Sequence, residues 1–132
     1  MIKKQKKSNR RIGGKHIKPI GGYMVYIKPL SVNQAWQGRR RKSIKYRDYE
    51  KELLLKLPIL KVSKRIKLSV SMVVYYSNTR SDIDNFIKPF LDILCLKYGF
   101  DDKQIYKLSV VKEIVRKGSE GITFKIENLE YT

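Results

Sequence analysis

Five of the chain's twelve acidic side chains fall within residues 80–105: Asp82, Asp84, Asp92, Asp101 and Asp102. Two precede a helix-like segment and two follow it. Two carboxylates held about 4 Å apart repel by roughly 4 kcal/mol at a near-surface dielectric. A divalent cation removes that cost and turns the cluster into a site. Asp is short and hard. It suits magnesium, which keeps several waters and shares its remaining positions with phosphate oxygens. In phosphodiester hydrolysis such an ion lowers the pKa of a bound water and neutralises charge on the transferring phosphate.

Spacing gives these side chains different opportunities. Asp82 and Asp84 are separated by one residue, so in an extended piece both point the same way while Ile83 points into the core. Asp101 or Asp102 can return to the same mouth if the intervening helix runs back across a sheet. Lys88 lies four residues after Asp84 and four before Asp92, so in a helix the three share a face. There Lys88 can stabilise developing charge or orient the scissile phosphate. Ordinary roles compete: Asp84 as a helix N-cap, Lys88 as an ion-pair partner, and Asp101-Asp102 as a turn.

The elements that must position this stretch can be read from pattern. Residues 23–28 are β-branched and aromatic, as in a strand, and Pro29 ends it. A loop over residues 34–42 places Trp36 beside Arg39, Arg40, Arg41 and Lys42, a cationic and aromatic patch suited to DNA. Burial of Trp36 in the core is the competing reading. Residues 43–57 predict an amphipathic helix capped by Ser43, with Tyr46, Tyr49, Leu53 and Leu57 on one face and Asp48, Glu50 and Glu52 paired to cations one turn away. Residues 66–76 predict a strand. Residues 86–98 predict a helix, with Pro89 confined to its first turn and Gly99 as its stop. Residues 105–115 predict a third strand, and residues 117–121 a hairpin turn into a return strand at 122–126. The fold class is α+β, one domain in the order β-α-β-α-β-β, with two helices packed on a mixed or largely antiparallel sheet. Residues 1–22 read as a basic flexible arm and residues 23–132 as the folded domain.

Charge narrows the partner. There are 30 Lys and Arg against 12 Asp and Glu, a net charge of +18. The arm holds eight basic residues and no acidic one, which leaves ten of the excess positive charges on the body. A basic body points to a polyanion, usually nucleic acid. Cys95 is the only cysteine, which excludes an internal disulfide and a Cys-based zinc site within one chain, and Cys95 is expected to pack in the core. His16 is the only histidine, which excludes two-histidine metal sites. No apolar run reaches the length of a membrane span and no signal peptide is evident, so a cytoplasmic setting is expected.

The pattern Arg80-Ser81-Asp82-Ile83-Asp84-Asn85, then Lys88, Asp92, Asp101-Asp102 with Gln104, and Lys112 in the following strand resembles the RusA family of Holliday junction resolvases. These are small endonucleases of phage and prophage origin. Pro29 to Asn33 loosely echoes the family's Pro-x-x-Asn segment. The resemblance covers residues 23–127; the arm lies outside it. It implies a homodimer that binds four-way DNA junctions and places two symmetric nicks with magnesium, or manganese as a substitute. It implies Asp82, Asp84 and Asp102 as metal-binding and catalytic carboxylates, Lys88 as the catalytic lysine, and Asp92 and Asp101 as support. Arg80 and Lys112 join residues 36 and 39–42 as expected DNA contacts. An alternative is a basic DNA- or RNA-binding module without catalysis, in which the carboxylates are caps and ion pairs. A basic assembly protein is a third reading.

Overall fold

A computed structural model of the chain describes residues 22–38 and 41–129. The basic arm, except for Gly22, and Arg39 and Arg40 therefore lie outside the described residues. The main sheet has four strands in the order β1-β6-β4-β5: β1 Tyr23–Tyr26, β4 Leu68–Tyr76, β5 Ile105–Ile114 and β6 Gly121–Asn128. Two of its three pairings are antiparallel and β4–β5 is parallel, so the sheet is mixed, as expected. Besides the two long helices, α2 Ile44–Lys56 and α3 Ile87–Tyr98, there is a one-turn α1 Val32–Ala35. A two-stranded ribbon, β2 Trp36–Gln37 with β3 Arg41–Lys42, occupies the place of the predicted loop.

Alternation along β4 decides where the core sits. Leu68, Val70, Met72 and Val74 are almost wholly buried and share one core with Ile122 and Phe124 of β6. α3 contributes Phe90, Ile93 and Leu94, and α2 contributes Tyr46, Tyr49 and Leu53. The rings of Phe90 and Phe124 meet edge to face at 5.7 Å, which pins α3 to the sheet. α2 begins where expected: the Ser43 hydroxyl accepts the Tyr46 N–H at 3.0 Å. Glu52 pairs with Lys56 one turn on, at 2.6 Å. Glu50 instead pairs at 3.2 Å with Lys42 of the ribbon. α3 ends at Gly99, whose φ of 72° is the left-handed conformation that glycine adopts without strain. Cys95 is half-buried and packs against the core.

The hairpin between β5 and β6 is corrected. The two strands do not pair; they flank β4, β5 parallel and β6 antiparallel to it. The physical reason is the α3 crossover, which lays β5 along one edge of β4 and leaves only the other edge for β6. A turn signal reports that the chain reverses, not which strand lies between the two arms. The connection passes over the end of β4, where Val115 N–H donates to the Tyr76 carbonyl at 2.7 Å. Buried Glu120 fastens it: one carboxylate oxygen accepts the Ser77 hydroxyl at 2.6 Å, the other the Gly118 N–H at 2.9 Å. The Ser77 hydrogen bond holds this carboxyl below its usual range.

Candidate active site

The loop between β4 and α3 carries Asp82 and Asp84, and its shape is set by its neighbours. The Asn78 side-chain oxygen accepts the N–H groups of Arg80 and Ser81, both at 2.9 Å, and the Ser81 hydroxyl at 3.1 Å. This is a side-chain-organised turn of the kind Asn favours. From β5, the Lys112 ammonium donates to the Ser81 carbonyl at 2.6 Å and lies 3.4 Å from that of Thr79. The Tyr76 hydroxyl donates to the Asp82 carbonyl at 3.2 Å. Burial first, then the carboxylates of Asp82 and Asp84, push that phenol up to about 12. Val32 N–H of α1 donates to the Asn85 carbonyl at 2.8 Å.

The extended reading of this piece is corrected. Residues 83–86 form a turn, and Ile83 is 42% exposed. Phe86, fully buried, anchors the backbone instead. The cause is Pro89, which must sit in the first helical turn. α3 therefore starts at Ile87, and the chain curls into it through Ile87 N–H to the Asp84 carbonyl at 3.2 Å. Phe86 stands at the cap position without a side-chain cap bond, so Asp84 does not serve as the N-cap. Both Asp82 and Asp84 are exposed.

In the first turn of α3, Lys88 clasps two carboxylates, Asp92 at 2.9 Å and Asp102 at 3.5 Å. The Asp92 hydrogen bond, partly opposed by desolvation, raises the lysine's pKa. Asp101 caps the 3-10 turn Asp102–Gln104: its carboxylate accepts the Lys103 N–H at 2.9 Å, and Gln104 reaches back to the Asp101 N–H at 3.0 Å. That backbone hydrogen bond, then one shared with Asp102, keeps the Asp101 carboxyl low. Gln104 also donates to the carbonyls of Ser63 and Ile66, both at 2.9 Å, which ties the turn to the segment before β4.

Among the described residues no three Asp, Glu, His or Cys side chains gather closely enough to enclose a metal ion. The expected grouping of Asp82, Asp84 and Asp102 is therefore not formed: Asp82 and Asp84 lie in the loop ahead of α3, and Asp92 and Asp102 share Lys88. The donors are nonetheless of the right chemistry. Magnesium takes hard oxygens and needs only one or two protein carboxylates beside water and phosphate. No helix among the described residues is long and apolar enough to cross a membrane.

The expected DNA contacts divide. Arg41 and Arg80 are exposed. Lys42 is engaged with Glu50 and lies 5.0 Å from the Tyr46 ring centre. Lys112 spends its ammonium on the aspartate loop. Trp36 is 37% exposed, not a core residue, and its ring meets Tyr46 at 5.9 Å. A groove of about 660 Å³ runs from Trp36 to Asp92 and Asp102. Sequence reasoning missed the roles of Asn78 and Tyr76. An Asn two residues before Arg80, in a stretch already read as a turn, is the signal for the first. For Tyr76, and for Gln104 reaching Ser63, no local signal exists, because the partners meet only through the fold.

The family model for endodeoxyribonuclease RusA matches residues 28–127 of the 132. No curated protein matches the chain.

Proposed function

Because the chain belongs to the RusA family of endodeoxyribonucleases, we propose that it resolves four-way DNA junctions by paired symmetric nicks, as a magnesium-dependent homodimer. The observation that carries this reading is the Lys88 clasp. It joins the first turn of α3, just after the loop bearing Asp82 and Asp84, to Asp102 beyond the helix. Asp82 and Asp84 would hold the metal beside water and phosphate oxygens, while Asp102 stays paired with Lys88. Bound there, magnesium supplies an activated water and neutralises charge on the phosphate.

The chain's own groups do the rest. Lys88 presents a cation to the phosphate while its carboxylate partners fix its direction. The Tyr76, Asn78 and Lys112 contacts hold the aspartate loop before substrate arrives, so little reorganisation is left for the reaction. Exposed Arg41 and Arg80 supply phosphate contacts. Cuts in two strands related by two-fold symmetry require two sites, and an isologous dimer of a one-site domain provides them. The sheet face away from the core carries Met24 and Tyr26, 37% and 61% exposed, an apolar surface suited to that pairing.

The deciding experiment uses Asp82→Asn on a synthetic four-way junction. The variant is expected to retain junction binding in a gel shift and to lose magnesium-dependent nicking. Undiminished nicking sinks the assignment. If the wild-type protein binds with steep salt dependence and never nicks, the chain is a binding module instead.

A further inference from the structure

The groove beside Asp102 is larger than a scissile phosphate needs. Its volume of about 660 Å³ lies in the range of small-molecule sites. Its lining comes from two directions: Trp36, Lys42 and Tyr46 from the ribbon and α2, and Asp92, Cys95 and Asp102 from α3 and the turn after it. Carboxylates outnumber cations there, but most are matched within the protein. Glu50 has Lys42, Asp92 and Asp102 share Lys88, and Asp101 takes the Lys103 N–H. A phosphate entering this groove gains little from charge.

A flat aromatic ring gains more. The Trp36 indole is partly exposed, and it is fixed from behind. Tyr46 packs against it with the rings inclined at 53°. Ser31 and Gln34 form a capping box on α1 just before it. The Ser43 hydroxyl donates to the Gln34 carbonyl at 2.6 Å, and Ser43 N–H donates to that of Ala35 at 3.0 Å. The indole is thus a stacking surface held in place in advance. The Cys95 thiol, pushed up to about 11 by burial and then by Asp102, stays neutral in the groove wall.

We propose that this groove receives one unstacked nucleobase of the strand being cut, next to the cleaved bond, with Trp36 as its stacking surface. The proposal rests on the endonuclease reading above and adds a source of structure selectivity to it. The groove shares Asp92 and Asp102 with the Lys88 clasp, so a base lodged there keeps its own phosphate close to the Lys88 ammonium. Unstacking is cheapest for bases that are already poorly paired or stacked, as at a branch point. Lys64, which lines the same groove near Gly99, would supply a cation for a neighbouring phosphate.

Trp36 is the chain's only tryptophan, so its emission reports on this groove alone. Without added divalent metal, saturating four-way junction is expected to quench that emission far more than linear duplex of equal length does. Trp36→Ala is expected to lower junction cleavage by about tenfold to a hundredfold, the worth of one base stacked on an aromatic ring. Trp36→Phe should recover most of it. Junctions with one abasic nucleotide placed in turn at each position flanking the cleaved bond complete the test. One position should cost the wild type about tenfold and cost Trp36→Ala no more, the non-additivity of two changes to one contact. Unchanged emission at saturation, full activity in Trp36→Ala, or losses that simply multiply would overturn the site and leave the endonuclease reading intact. A wild-type protein that cuts no junction would overturn both.

Discussion

The Lys88 ammonium lies 2.9 Å from Asp92 and 3.5 Å from Asp102, so a single cation links the body of α3 to the turn that follows it. The proposed phosphate-facing charge is therefore oriented by two side chains from different elements. Lys88→Met removes the charge and keeps the length. It is expected to lower the cleavage rate by about 10²–10³-fold, as for loss of one preorganised donor, with junction affinity nearly unchanged. Single-turnover cleavage beside a gel shift separates the two quantities.

Lys112 acts on the aspartate loop from the neighbouring strand. Lys112→Met takes its hydrogen bonds from the Ser81 and Thr79 carbonyls and is expected to cost about 1–3 kcal/mol of stability. It should also raise the magnesium concentration needed for nicking. Calorimetric titration of magnesium into the DNA-free protein checks the loop's role apart from activity. An unchanged metal affinity there would return Lys112 to the role of a DNA contact.

Glu120 should make stability depend on pH. Its carboxyl sits below the ordinary 4.5 because the Ser77 hydroxyl, and then the backbone of the crossover, bond to the charged form. Such a group stabilises the fold above its unfolded pKa and loses that contribution as pH falls through its folded value. Wild type should therefore melt above Glu120→Gln at pH 7, and the gap should close as pH drops below about 4.5. Thermal melts at pH 7 and pH 3 check the sign.

Phe86 is wholly buried at the entry to α3. Phe86→Ala is expected to destabilise the fold by about 3–5 kcal/mol, read by urea unfolding. Phe86→Leu, which refills much of the volume, should restore both stability and nicking.

A net charge of +18 predicts strong dependence of junction binding on salt. If six to ten phosphates are neutralised, affinity falls by about 10³–10⁵-fold between 50 and 200 mM salt. The Trp36 quench at saturation should keep its amplitude over that range, because salt weakens phosphate contacts and leaves stacking largely intact.

Much of this architecture was legible in the chain. Ser43, Pro89 and Gly99 bound their helices through local chemistry, and apolar periodicity placed Tyr46, Tyr49 and Leu53 inward. What local pattern could not reveal was adjacency. The reversal at residues 117–121 looks the same whether β6 lies next to β5 or across β4. Ile83 was misplaced because alternation was extended past the end of β4 into a turn governed by Pro89. The aspartates themselves stood out by charge. Their grouping, Asp92 and Asp102 on Lys88 with Asp82 and Asp84 apart, depends on side-chain reach that spacing does not carry.

Two ties, one on the aspartate loop and one at its entry, reach far forward along the chain, by 31 residues from Ser81 to Lys112 and by 43 from Ser77 to Glu120. A chain emerging from synthesis exposes Asp82 and Asp84 well before either clamp exists. The proposed aspartate site is thereby completed late in folding, after β5 has joined β4 and the connection from β5 to β6 has closed.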